Sequence, residues 1–454
     1  MSRFEIPRNR PQRVYSRPRC SDCDAAGGRP KAYDPFDDQH TRARRGPWSP
    51  GFSYLRPWQK GVHVRRVVGV ESIESRDRRL RIAVIAPPWY SLPPRGYGGV
   101  ELVVTLLARE LRRRGHLVTL FGAEGSEIGT TVCAPPGLDV HLGQATQVLH
   151  EMTYLARVER MLRLLGPFEV ISDHAGFGGA LVSSLFDTTA RVLHTVHGPI
   201  GVSELEFFDS LPAHVRLIAI SGSQRSQAPR LQWAGVVHNA VDLDGLYVSP
   251  ADRDPRYLLC LARICEDKGQ DVAIEVARRC GLPLILAGKV EQTPASRAFF
   301  RNRVEPFIDG AQVRYLPTIT GVQKARLIAG ATAMLAPIRW PEPFGLSIVE
   351  AMVSGTPAVS FRQGAAPELI EPGITGFLVD DLQEMVDAVG QSFEVDPFAC
   401  ARAARERFSP QVMAASYLRL YRLALRGAQA GRTAVVTFKS VGVREQLQEL
   451  SAPH

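Results

Sequence analysis

Short apolar runs recur along the chain from residue 81 onward. Each is closed by a cluster of Gly, Pro, Asn, Asp or Ser and followed by a stretch with apolar residues at helical spacing. Runs at 81–87, 117–122, 168–172, 191–196, 216–220 and 235–238 predict buried strands, because a strand covered on both faces shows continuous rather than alternating hydrophobicity. Between them the pattern predicts helices over 98–111 and 145–165, with a loop running to about residue 143. A second series of strands is predicted at 257–262, 283–288, 313–316, 331–337, 358–361 and 376–379. Its helices are predicted at 270–280, 294–308, 345–354, 382–390, 397–408 and 410–427. Strands alternating with helices predict an α/β fold of two Rossmann-like doubly wound domains. Ligands in such sheets bind beyond the carboxyl ends of the strands, so the loops that leave the strands are where chemistry is sought.

Composition changes this picture little. The chain has 454 residues, 45% hydrophobic and 22% charged, as in an ordinary soluble globular protein, and is long enough for two or three domains. Residues 1–79 lack sustained periodicity and are dense in Arg, Pro, Gly and Asp, which predicts a disordered extension; a start site assigned too far upstream would produce the same leader. The net charge of +9 belongs to that leader: of 55 basic and 46 acidic residues, 18 and nine lie in residues 1–79, leaving 37 of each in the remainder. A basic nucleic-acid-binding body is therefore not expected. Arginines cluster locally at Arg109 and Arg112–Arg114 and at Arg157, Arg160 and Arg163, which leaves a peripheral membrane contact open. Seven cysteines without framework spacing, Cys20-Ser-Asp-Cys23 among them, predict reduced packing thiols and a cytoplasmic protein. No apolar run approaches the length of a membrane span.

The chemistry concentrates in Arg339-Trp-Pro-Glu-Pro-Phe-Gly-Leu-Ser-Ile-Val-Glu-Ala-Met352. Glu342 falls in a strand-to-helix loop and Glu350 between one and two turns inside the following helix, whose first-turn N–H groups favour an anion. Ionised carboxylates suit vicinal diols. An isolated pair of acids at this spacing would be two ordinary surface residues; the Pro-Phe-Gly turn between them argues against that. Arg263 and Lys268 lie five apart after a strand and before a helix, a planar fork and a mobile point charge suited to a diphosphate. Gly98 and Gly99, at another strand-to-helix turn, let a ligand approach backbone N–H groups. No DxD-type carboxylate pair lies on a strand-end loop where Mg²⁺ would bridge a diphosphate, so no metal site is expected.

Trp340-Pro-Glu-Pro-Phe-Gly-Leu with Glu350, followed by Gly355-Thr-Pro and Gly364-Ala-Ala-Pro-Glu-Leu-Ile, resembles the family-4 retaining glycosyltransferases with the GT-B fold. The resemblance covers roughly residues 80–426. It implies that Glu350 holds the ribose of a nucleotide-sugar, with Phe344, Gly345 and Leu346 beside it, and that Glu342 holds hydroxyls of the donor sugar. It further implies that Arg263 and Lys268 serve the leaving diphosphate and that Gly98 and Gly99 face the phosphates. Ser172-Asp-His174 resembles the family's His-x-His but keeps only its second member, His174, which reaches the donor sugar in the family. His197-Gly-Pro199 resembles an acceptor-side loop and Ser221-Gly-Ser-Gln-Arg225 a helix start, where either serine would also serve as an ordinary cap. Asn239-Ala-Val-Asp242 is similar to the segment that closes the N-terminal domain.

The organisation implied is an acceptor-side domain over 80–242, a linker over 243–255 and a nucleotide-sugar domain over 256–408. A helix over 409–427 crosses back to the first domain, and 428–454 is a mobile tail. The expected activity is transfer of a hexosyl-type sugar, with retention and without metal or other cofactor, from a UDP-, GDP- or other nucleoside diphosphate sugar. The acceptor hydroxyl belongs to an unknown sugar, small molecule or lipid-linked acceptor. An epimerase or phosphorylase of the same fold, or a non-catalytic nucleotide-sugar-binding protein, are the competing readings.

Overall fold

The computed structural model describes residues 78–96, 98–126, 129–133, 145–185, 189–249, 256–319 and 321–432. Expectations for the leader up to residue 77, for the second half of the linker and for the tail beyond residue 432 lie outside them. All described residues belong to one compact unit.

Two parallel sheets organise the chain. The first contains β1 (Arg81–Ile85), β2 (Leu117–Gly122), β3 (Thr130–Val132), β4 (Val170–Asp173), β5 (Arg191–Val196), β6 (Val215–Ala219) and β7 (Trp233–Val236). Their order across the sheet is β3-β2-β1-β4-β5-β6-β7. The second contains β8 (Leu258–Leu261), β9 (Leu284–Ala287), β10 (Val313–Leu316), β11 (Ala333–Ala336), β12 (Ala358–Phe361) and β13 (Gly376–Val379), in the order β10-β9-β8-β11-β12-β13. Strand order reverses between β1 and β4 in the first sheet and between β8 and β11 in the second, and each reversal opens a crevice at the carboxyl ends of those strands.

The central runs have the burial they predict, β4, β9 and β11 being buried at every residue, whereas the outermost strands β7 and β10 are buried at one residue of four. Helices cover the sheets through their apolar stripes, as in Gln270–Cys280, where Ala273, Ile274, Val276 and Ala277 are buried. The last helix, Pro410–Arg432, is longer than its predicted 410–427 and packs on the first sheet. Its Tyr417 and Tyr421 are fully buried beside Ile82, Val84 and Leu193.

Four features depart from expectation. The loop after β2 contains β3, an edge strand of three residues, too short to leave a pattern. Helices Gly176–Leu185, Val202–Asp209 and Gly321–Ala329 were not anticipated. The helix expected over 294–308 is an α-turn Pro294–Phe299 that widens into a π-helix at Phe300–Val304 and tightens into a 3₁₀ turn at Glu305–Phe307, where Pro306 supplies no N–H. Strand ends move by one or two residues. Among the described cysteines, Cys133, Cys260, Cys265 and Cys400 are buried free thiols, and burial pushes Cys260 up to about 12.

Candidate functional site

The loop leaving β8 carries Arg263 and then the 3₁₀ turn Glu266–Lys268. Gln270 anchors it, donating from its side-chain amide to the Arg263 carbonyl at 2.8 Å. Gly269 closes the turn in the left-handed region, at φ 69°, flat against the loop leaving β11: a Cβ there would lie 2.1 Å from the Pro337 carbonyl oxygen. Arg339 ties the same two loops together, its N–H donating to the Asp267 carbonyl at 2.8 Å and its guanidinium pairing with Asp271 at 2.9 Å.

This seam brings Lys268 to Glu342, whose carboxylate it pairs with, while the ammonium stands 5.2 Å above the Trp340 ring. Lys268 is only 9% exposed. Glu342 is held from behind, since Gly364 packs where a Cβ would sit 2.4 Å from the Glu342 nitrogen, and the Ala365 N–H donates to the Glu342 carbonyl at 3.0 Å. Gly345, at φ 103°, starts the helix Leu346–Val353, and Phe344 is buried beneath the turn. Glu350, just past the first turn, is also 9% exposed and pairs with Lys324 at 2.6 Å. Lys324 lies on one of the unanticipated helices and nothing in its local sequence marks it. Arg263 is more open and pairs with Glu291.

His174 and His197 follow β4 and β5, which lie in the first sheet between β1 and β6, and the loops leaving β1 and β6 both touch elements of the second sheet. Gly99 touches the second sheet's site directly: a Cβ on it would lie 2.9 Å from Leu346 Cδ1. Beside it, burial pushes the Glu101 carboxyl up to about 7, against a backbone hydrogen bond that pulls it down. A second bridge joins the two sheets. The Glu368 carboxylate accepts from the Gly222 and Ser223 N–H groups at 2.7 and 2.5 Å and from His238 at 3.1 Å. Ser221 caps the short helix Gly222–Gln227, accepting from the Gln224 N–H at 3.0 Å, so its role there is structural.

His174 is buried and uses both ring nitrogens within the protein, Nε2 with Ser172 Oγ at 3.1 Å and Nδ1 with His197 Nε2 at 2.9 Å. Whatever it contributes beyond the protein passes through the half-buried His197. Nearby, Asp173 holds His194 at 2.7 Å. Burial keeps His174 well below its ordinary range and lowers His197 to about 3. A histidine that stays neutral when folded but charges when unfolded makes the unfolded chain bind more protons, so stability falls with pH below about 6.5, down to the folded value. Glu101 acts in the opposite sense between its ordinary 4.5 and about 7. The comparison to make is therefore a difference: melting temperature of His197→Asn should decline less steeply between pH 6.5 and 4 than that of the unaltered protein. Equal slopes would mean that His197 titrates normally in the fold.

Among the described residues no group of three or more His, Cys, Asp or Glu could hold a metal ion, and no helix is long and apolar enough to cross a membrane. Of the two arginine clusters, Arg113 and Arg114 are drawn onto the buried Glu110 and Arg163 onto Glu159. A groove lined by Leu246, Val248, Phe398 and Arg402 shares no residue with the site.

Residues 248–405 match the glycosyl transferases group 1 family and residues 97–244 match glycosyltransferase family 4. The D-inositol 3-phosphate glycosyltransferase of Mycobacterium bovis is 25% identical over 371 residues, 70% of this chain and 76% of that protein. The enzyme of the same name from Mycolicibacterium smegmatis is 26% identical over 206 residues, so the match spans 42% of this chain and 45% of that relative's length. Among solved structures, AviGT4, a glycosyltransferase involved in avilamycin A biosynthesis, superposes with a TM-score of 0.58 at 26% identity, covering 77% of this chain and 98% of its own. Anabaena HepE in complex with UDP and glucose superposes at 0.59 with 18% identity, covering 75% and 99%, a likeness of fold alone.

Proposed function

Because this chain belongs to the family-4 glycosyltransferases of the GT-B fold, we propose that it moves a sugar, with retention, from a nucleoside diphosphate sugar to an acceptor hydroxyl in the cleft between its two sheets. In this reading residues 80–242 form the acceptor side, 256–408 bind the donor, 243–255 link them, and 409–427 cross back. Glu350 accepts hydrogen bonds from ribose hydroxyls, Glu342 from hydroxyls of the donor sugar, and Phe344, Gly345 and Leu346 line the turn under the donor. Gly98 and Gly99 offer backbone N–H groups to the phosphates. His174 acts on the cleft through His197.

Arg263 and Lys268 stabilise the charge that grows on the leaving diphosphate. The anomeric carbon breaks its bond to the phosphate oxygen and bonds the acceptor oxygen on the same face. The departing phosphate oxygen takes the acceptor's proton, so no protein general base is named. The observation that carries the reading is the pairing of Lys268 with Glu342. A cation from the exit of β8 and an acid from the exit of β11 meet at a switch point, the place where open α/β sheets bind ligands. Each cation rests on a carboxylate, Lys268 on Glu342 and Arg263 on Glu291; a diphosphate would share or displace those partners.

The test is a panel of UDP-, GDP-, ADP- and dTDP-sugars read first by thermal shift, since a bound donor raises the melting temperature by mass action. The donor that shifts it is then assayed with acceptor alcohols, polyol phosphates first in view of the relatives' name, and the product's anomeric configuration is determined. An inverted product, or turnover of the donor to an epimer without acceptor, would overturn the reading. Glu350→Ala should raise the donor KM by roughly ten- to a hundredfold, the loss of a hydrogen bond to a charged group, with a smaller change in kcat. An unchanged KM would detach Glu350 from the donor.

A further inference from the structure

The crossing helix Pro410–Arg432 reaches the cleft through an unbroken chain of side chains. Tyr421, fully buried on that helix, donates its hydroxyl to Ser172 Oγ at 2.7 Å. Ser172, fully buried at the end of β4, contacts His174 Nε2 at 3.1 Å, and His174 Nδ1 contacts His197 Nε2 at 2.9 Å. Four residues from three separate parts of the chain thus form one file from the helix interior to a half-buried ring.

The file has a direction. With Tyr421 donating to it, the Ser172 oxygen keeps one proton of its own, and among the described residues the acceptor within reach of that proton is His174 Nε2. A buried hydroxyl proton left without an acceptor is unfavourable, so Ser172 donates and His174 carries its proton on Nδ1. That N–H donates to His197 Nε2, and His197 carries its own proton on Nδ1, the nitrogen that has no protein partner among the described residues. Both rings are held neutral by burial, so each has one N–H to place.

We propose that Tyr421 and Ser172 are positioning residues for the transfer reaction: they set the tautomer of the His174–His197 pair so that His197 presents an N–H, not a lone pair, to the cleft. The kinetic part rests on the functional reading given above; the tautomer part does not. The crossing helix is thereby a working component of the cleft as well as a clasp. An N–H held there suits an oxygen that gains negative charge, whereas a lone pair would repel it.

The experiment uses full-length protein labelled with ¹⁵N-histidine, the His197 signals being assigned by their loss in His197→Gln. In the unaltered protein His197 and His174 should both be Nδ1–H. Tyr421→Phe and Ser172→Ala should each release that constraint, giving mixed or reversed tautomers, and lower turnover about tenfold with donor KM unchanged. Tyr417→Phe is the control. Its hydroxyl is equally buried on the same helix and contacts Thr195 Oγ1 at 3.1 Å, outside the file, so its loss should leave tautomers and turnover alone. An Nε2–H His197 in the unaltered protein, or unchanged tautomers in both Tyr421→Phe and Ser172→Ala, would overturn the relay. Tautomers that change as expected while turnover stays the same would leave the relay standing and count against the functional reading of the histidine side of the cleft.

Discussion

Lys268→Ala should lower turnover by roughly a hundredfold or more, the loss expected when one preorganised partner of a developing charge, worth about 3–4 kcal/mol at the transition state, is removed. The size of the effect follows from burial. Lys268 is nearly enclosed, with its ammonium on Glu342 and over the Trp340 ring, so water cannot readily replace it and the site has little dielectric screening. Arginine is a poor substitute, because a guanidinium is planar and forked where the ammonium is compact. Arg263→Ala should match the kinetic loss with less effect on folding, since Arg263 is partly open and its partner Glu291 can be rehydrated. The measurement is single-turnover transfer at saturating donor, alongside thermal melts that separate lost chemistry from lost fold. Near-normal rates in both variants would remove the two cations from the mechanism.

Gly269→Ala should be strongly destabilising for a change of one methyl group. The residue sits at φ 69° and the new Cβ would lie 2.1 Å from the Pro337 carbonyl oxygen, a backbone atom at the exit of β11 that cannot turn aside. Relief requires the loops leaving β8 and β11 to separate, which also draws Lys268 away from Glu342. A loss of about 3–5 kcal/mol is expected, or roughly 5 °C in melting temperature for a chain of this size. Gly281→Ala isolates the backbone term. It has nearly the same φ, 64°, but nothing within 4 Å of the added carbon, so only left-handed strain of about 1–2 kcal/mol remains. Melting temperatures for the two variants within a degree or two of each other would mean that the β8 and β11 loops are not in contact as described.

Much of this site is legible along the chain. Twelve of the thirteen strands announce themselves because parallel strands are covered by helices and so read as mainly apolar runs, even where an outer strand such as β10 is only partly buried. The residues that follow β8 and β11, Arg263, Lys268 and Glu342 in the loops and Glu350 in the helix after the second, stand out because Gly and Pro fix the turns between strand and helix. Local chemistry also offers a serine cap in Ser221-Gly-Ser223, which the structure assigns to Ser221.

Tertiary structure alone decides which of these groups meet. Lys324 pairs with Glu350 from the helix Gly321–Ala329, whose sequence does not say which acid this lysine will meet, and Glu368 reaches the Gly222 and Ser223 N–H groups from the other sheet. His174 lies at the strand end expected for it, yet only packing reveals that it is buried behind His197 and linked to Tyr421 through Ser172. The physical reason is range. Strand, helix and turn preferences act over a few residues and are written in local spacing, whereas an ion pair or a buried hydrogen bond joins groups brought together only after both sheets have closed on their cores.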